Sequence, residues 1–237
     1  MLSEVMAHFS LVKELRQAGY YETAVQKQIF QEIKAAAQSG KLIALTGVIG
    51  CGKTTTLRRL FEVLAKENKI RVSKSLSVDK NRATLATLIS ALFYDLSTDD
   101  KEVKIPSLGE KRERELRNLV KKGKKPVVLF VDEAHDLHFS TLTGLKRLIE
   151  VIEDGGGTLS VLLAGHPKLK NDLHRPTMEE IGYRAMIFSL EGMVGSQREY
   201  ITWLINACVS EGTKLSDVLT VEAIELLSEK LRTKSAN

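Results

Sequence analysis

The sequence predicts an α/β protein, a parallel β-sheet flanked by helices and followed by a small helical tail. Three observations carry this. Apolar runs of strand length alternate with segments of helical periodicity, as in a parallel sheet covered on both faces. A glycine-rich segment, "GVIGCGKTTT" (47–56), joins the first such run to the helix after it. A later run, "VVLFV" (127–131), ends in two consecutive acids. With 237 residues there is room for one α/β core and a small appendage.

Residues 25–38 read as a helix, and "KLIALTG" (41–47) as a short buried strand ended by glycine. Residues 53–68 have helical spacing at Leu57, Leu60, Phe61 and Leu64. "IRVSKSLSV" (70–78) suits a second strand, and 82–96 an apolar-rich helix. A polar connection, 97–106, leads to Ser107 and Glu110, spaced as a capping box opening a basic helix. Pro126 stops that helix before "VVLFV", a fully buried strand. Leu142, Leu145, Leu148, Ile149 and Ile152 line one face of the next helix, "DGGG" breaks it, and "TLSVLLAG" (158–165) is another buried strand. From about 196 strands cease. One amphipathic helix is marked by Tyr200, Ile201, Leu204, Ile205 and Cys208, another by Thr220 to Leu231. The expected division is a nucleotide-binding domain with an N-terminal helical extension over 1–195 and a helical lid over 196–237.

Composition excludes several classes. The N-terminus lacks the basic start and long apolar run of a signal peptide. "PVVLFV", the longest apolar stretch, is too short to span a bilayer, so no membrane role is expected. Two cysteines, Cys51 and Cys208, make no disulfide framework, and a reducing cytoplasm is the simple expectation. The formal net charge is +5. Residues 101–125 hold ten Lys and Arg against four Asp and Glu. That segment reads either as a solvated helix and loop or as a surface for a polyanion.

Gly47, Gly52, Lys53 and Thr54 satisfy G-x-x-x-x-G-K-[ST], with a strand before and a helix after. In such a loop the backbone N–H groups of Gly47, Val48, Ile49, Gly50, Cys51, Gly52, Lys53, Thr54 and Thr55 can point at phosphate oxygens. Lys53 neutralises β/γ-phosphate charge, and the Thr54 hydroxyl can ligate Mg²⁺. Cys51 contributes its backbone. The spacing is not G-x-G-x-x-G, which disfavours a dinucleotide fold. After "VVLFV", Asp132 sits where a carboxylate can hold Mg²⁺ or its waters, and Glu133 where a base can polarise an attacking water. Two adjacent acids there favour a hydrolase over a small-molecule kinase. "DEAH" (132–135) matches a helicase signature, but such helicases need two tandem motor domains, so His135 reads as a local structural contact. His166 follows a buried strand and either senses the γ-phosphate or ends the strand with a hydrogen bond.

Taken together, "LIALTGVIGCGKTTTLRRL", "LFVDEAHDL", "LSVLLAGHPKLKNDL" and the later "IGYRAMIFSLEGM" and "REYITWLI" resemble an AAA+ ATPase, a P-loop NTPase. More narrowly they resemble the ExeA-like branch, which includes the helper ATPases of bacterial transposases, the MuB, TnsC and IstB kind. The likeness runs from about residue 20 to 232. It implies ATP and Mg²⁺ as cofactors and a ring or helical homo-oligomer on duplex DNA. It implies a transposase as partner. Arg184 matches the arginine that reaches a neighbouring subunit's γ-phosphate, with Arg175 as the fallback; a local salt bridge is the plain alternative for Arg184. Arg232 falls where a lid arginine touches phosphate, but relatives continue with a further helix where this sequence stops, so the lid reads as truncated. Tyr20, Tyr21 and Glu22 precede the core where relatives line the adenine pocket, or else they pack. DNA-contacting candidates are Lys111, Arg112, Lys121 and Lys122 of the basic segment, and Lys168 and Lys170 after the last strand, through phosphates rather than bases. The other readings are a secretion-pathway ATPase of the ExeA kind, or a nucleotide switch that binds a protein partner without turnover.

Overall fold

In the computed structural model the described residues are 3–75, 83–97 and 105–234, with 232–234 by backbone alone. The strands are β1 (Leu42–Thr46), β2 (Arg71–Lys74), β3 (Val127–Val131), β4 (Leu159–Gly165) and β5 (Ala185–Ser189). They form one parallel sheet in the order β2-β3-β4-β1-β5. The helices are α1 (Ser3–His8), α2 (Ala24–Ala36), α3 (Lys53–Glu67), α4 (Leu85–Leu96), α5 (Gly109–Lys122), α6 (Phe139–Asp154), α7 (Pro167–Leu173), α8 (Glu179–Gly182), α9 (Gln197–Asn206) and α10 (Val221–Lys234).

β1, β3 and β4 are buried along their whole length, so both faces of each are apolar. Alternate residues serve opposite layers. Leu129, Val131, Val161 and Leu163 pack with Leu88 and Leu92 of α4, Leu116 and Val120 of α5, and Leu145 of α6. Val128, Phe130, Leu162 and Ala164 pack with Ile33 of α2 and Leu57, Leu60 and Leu64 of α3. One buried hydroxyl fastens the middle of the sheet. Ser160 Oγ donates to the Ala37 carbonyl at 2.9 Å and accepts from the Lys41 N–H at 3.1 Å.

Several expectations change. β5 has no counterpart in the reading of strands from sequence; it is an edge strand with no fully buried residue. The basic helix α5 begins one residue later than a Ser107 cap requires. Its N-cap is Leu108, which makes no side-chain cap bond. The Arg112 guanidinium takes up the loop instead, donating to the Pro106 carbonyl at 2.9 Å and the Ser107 carbonyl at 3.0 Å. Of the strand expected over 70–78, β2 accounts for 71–74. Residues 76–78, Lys101, Lys104 and the Arg232 side chain lie outside the described residues.

The chain divides into two compact units, Gln28–Leu190 and a second made of Met1–Lys27 with Glu191–Asn237. In the second, an antiparallel bridge joins Leu11 to Val209, and Val12 N–H donates to the Cys208 carbonyl at 2.8 Å. The Tyr21 ring lies 5.2 Å from Trp203 and 5.5 Å from Tyr200, centroid to centroid. Both cysteines are free thiols. Among the described residues no helix is long and apolar enough to cross a membrane.

Leu129, at the centre of β3, is wholly buried. Leu129→Ala is expected to cost about 2–5 kcal/mol of stability, read as a fall in the urea midpoint at unchanged m.

Candidate nucleotide-binding site

Parallel strands bring their carboxyl ends to one edge of the sheet, and register decides which loops meet there. Thr46 at the end of β1 pairs with Gly165 at the end of β4, and Val131 at the end of β3 pairs with Leu163. The loop after β1, the acids after β3 and the turn after β4 therefore converge. They line a cleft of about 500 Å³ that includes Gly52, Lys53, Thr54, Glu133, His135 and His166.

The loop shape follows from its glycines. Gly52 has φ +95°, a region open to glycine and unfavourable to other residues. Gly47 is a matter of space. A Cβ there would stand 2.4 Å from Cys51 Sγ and 2.7 Å from the Leu190 carbonyl oxygen. Gly52 caps α3 without any side-chain hydrogen bond, so the first-turn N–H groups of a 15-residue helix face the cleft with the positive end of its dipole. The Lys53 ammonium, 9% exposed, donates to the carbonyls of Gly47 at 2.8 Å and Val48 at 2.9 Å. Among the described residues it has no carboxylate partner, so the loop carries an unneutralised positive charge. That is the chemistry of an anion site.

Across the cleft Thr54 Oγ1 donates to Asp132 Oδ2 at 3.3 Å. Asp132 Oδ1 accepts from the Glu133 N–H at 2.9 Å. Glu133 is a non-glycine residue at φ +54°, which turns the chain sharply after β3 and leaves its side chain 47% exposed on the cleft. Its Oε2 lies 3.4 Å from His135 Nδ1. The same Nδ1 accepts from the His166 N–H at 3.3 Å. His166 also caps α7, its Nδ1 accepting from the Lys168 N–H at 3.4 Å. His135 is thus more than a local contact: it joins the turns after β3 and β4, a long-range link that no local spacing encodes.

Other expected residues lie elsewhere. Lys168 Nζ reaches the His135 carbonyl at 3.4 Å, which ties it to the cleft rather than to an outward surface. Lys170 is exposed on α7. Lys111, Lys121 and Lys122 are exposed on α5, interleaved with exposed Glu110 and Glu115, while Arg112 is occupied by the two carbonyls named above. Tyr21 belongs to the second unit and packs on Tyr200 and Trp203. Arg175 pairs with Asp172 at 2.8 Å and lies over the Phe139 ring.

Arg184 directly precedes β5. Leu42, the first residue of β1, pairs with Ala185, so Arg184 sits at the amino edge of the sheet while the glycine loop leaves the carboxyl edge. β1 alone separates these edges by about 13 Å. There Arg184 pairs with Glu150, which also binds Lys146 at 3.2 Å. Lys146 is hydrogen-bonded to Glu180 as well; that bond holds its ammonium above the usual lysine range and the Glu180 carboxyl below the usual carboxylate range.

A five-stranded parallel sheet between helical layers, with a glycine loop and lysine at the first strand's end, defines the P-loop nucleotide-binding class. Residues 36–173 match the family described as AAA domain, and the chain belongs to that family. No curated protein matches its sequence significantly. Among solved structures the fold is similar to Cdc6p from Pyrobaculum aerophilum, at 16% identity and a TM-score of 0.59, covering 100% of this chain and 65% of that one. It is similar also to the ORC2 protein of Aeropyrum pernix in ADPNP–ADP complexes, at 14% and 0.57, covering 92% and 65%. The ORC1 protein of Aeropyrum pernix in complex with DNA matches at 14% and 0.56, covering 90% and 56%. These likenesses are of fold, and this chain spans about two thirds or less of each of those proteins.

Gly47→Ala is expected to lower stability by about 1–3 kcal/mol, measured by chemical denaturation. Cys51→Ala in the same chain should recover only part, because the Leu190 carbonyl still stands 2.7 Å from the new Cβ.

Proposed function

We propose that the protein is a Mg·ATP-dependent ATPase that acts on duplex DNA as an oligomer. The observation that carries this is a single cleft holding an unneutralised lysine on a glycine loop, a hydroxyl–carboxylate pair and a further exposed carboxylate. The loop N–H groups and Lys53 bind the phosphates. Thr54 and Asp132 supply hard oxygen donors, as Mg²⁺ requires. Among the described residues no three His, Cys, Asp or Glu side chains cluster as metal ligands. A metal here therefore takes two protein oxygens and the remainder from phosphate and water, which suits Mg²⁺. The ion's charge offsets that developing on the phosphates. Glu133 accepts a proton from the attacking water. His166, at the turn between loop and acids, lies where a γ-phosphate would be sensed. Arg184 lies at the wrong edge to serve its own cleft and acts on a neighbour's.

DNA binding is supported by the formal net charge of +5 and by the exposed lysines of α5 and α7. Lys111, Lys121, Lys122 and Lys170 carry it, with Arg112 and Lys168 secondary because each is held by backbone carbonyls. A role in transposition, with a transposase as partner in the cytoplasm, rests on the sequence motifs alone.

Glu133→Gln is expected to keep ATP affinity within about twofold and to lower turnover at least a hundredfold, measured by phosphate release. Parent-rate hydrolysis would remove Glu133 from the mechanism. Arg184→Ala is expected to lower turnover about a thousandfold. Mixing it with Glu133→Gln should restore measurable hydrolysis, because one copy brings the carboxylate and the other the arginine; no recovery on mixing refutes action in trans. DNA affinity should fall about a thousandfold between 50 and 200 mM salt, and Lys121→Ala should reduce the log–log slope by about one. A flat salt response counts against phosphate contacts.

A further inference from the structure

One nitrogen, His135 Nδ1, faces two partners with opposite requirements. The His166 N–H donates to it at 3.3 Å, which needs an unprotonated nitrogen. The Glu133 carboxylate stands 3.4 Å away and can bond only to a protonated one. The other ring nitrogen, Nε2, lies 3.8 Å from Asp136 Oδ1, so the proton has a place there while Nδ1 accepts. The ring is fixed between the two turns. Its side chain is 21% exposed, and its approach depends on Gly165, where a Cβ would stand 3.0 Å from the His135 nitrogen and 3.2 Å from Nδ1.

We infer that His135 is a positioning residue that couples the turn after β4 to Glu133. The inference rests on the reading of Glu133 as the group that accepts the water's proton. While the His166 N–H occupies Nδ1, the ring has no donor for Glu133, and the carboxylate remains turned to the cleft. When the turn withdraws that N–H, one proton leaves Nε2 and one enters Nδ1 through solvent, with no change in charge. Nδ1–H then binds the Glu133 carboxylate and holds it from the water. A ligand that draws the His166 turn toward or away from the ring thereby sets whether the cleft turns over.

The test separates the His166 N–H from its ring. His166→Pro removes the N–H at a position whose φ of −63° suits proline; His166→Ala keeps the N–H and loses the imidazole. Nitrogen-15 NMR of the His135 ring in the full chain is expected to show the proton on Nε2 in His166→Ala and on Nδ1 in His166→Pro. Turnover of the proline variant should be about tenfold below that of the alanine variant, the loss expected for one decisive hydrogen bond. His135→Ala should abolish that difference. If the proline variant does not fold, Gly165→Ala wedges the ring off the turn and should move the proton to Nδ1 in the same way. The same tautomer throughout, or a turnover difference that survives His135→Ala, overturns the proposal. The tautomer measurement needs no hydrolysis, so parent-rate turnover by Glu133→Gln would refute the role of Glu133 independently.

Discussion

Strand order is the constraint on which the rest depends. In the order β2-β3-β4-β1-β5, β4 lies between the strand that delivers the glycine loop and the strand that delivers the acids. All run parallel, so three chain reversals meet at one edge with β4's turn in the middle. Gly47 N–H donates to the Gly165 carbonyl at 3.2 Å, which ties the loop directly to that turn. The helix dipole, the Lys53 charge and the paired acids are then features of a single cleft, though their residues span more than a hundred positions of sequence. A parallel sheet buried on both faces is what makes this placement rigid.

The same constraint explains what the sequence does and does not reveal. β1, β3 and β4 are short unbroken apolar runs because both of their faces are covered, and they are legible for that reason. β5 lies at the edge, half exposed, and "AMIFS" carries neither a clean alternation nor a continuous run. The glycine loop is legible because its chemistry is local: donors, lysine and hydroxyl lie within a few residues. The start of α5 is not, because the spacing of Ser107 and Glu110 satisfies a capping pattern while the tertiary placement of Arg112 satisfies the loop carbonyls first. His135 is the clearest case. Its partners are two residues away on one side and 31 residues away on the other, and only register brings the second within reach.

Arg184 shows how a local bond and a distant role coexist. Its ion pair with Glu150 is what a surface arginine does by default, and the side chain is 63% exposed. An exposed pair of this kind contributes about 0–1 kcal/mol, because water screens it and two long side chains lose freedom in forming it. Charge-assisted bidentate bonds to a phosphate in a water-excluded seam are stronger. The resting pair therefore does not oppose transfer of Arg184 to a neighbour's nucleotide. It presents the guanidinium at the amino edge, where Lys146 and Glu180 fix Glu150's surroundings. Position argues the rest. The β1–β5 register puts the full length of β1 between Arg184 and the glycine loop of its own chain, and no side-chain rotation crosses a buried sheet. If Arg184 meets a γ-phosphate at all, the phosphate belongs to another copy, and hydrolysis then requires assembly by geometry rather than by affinity.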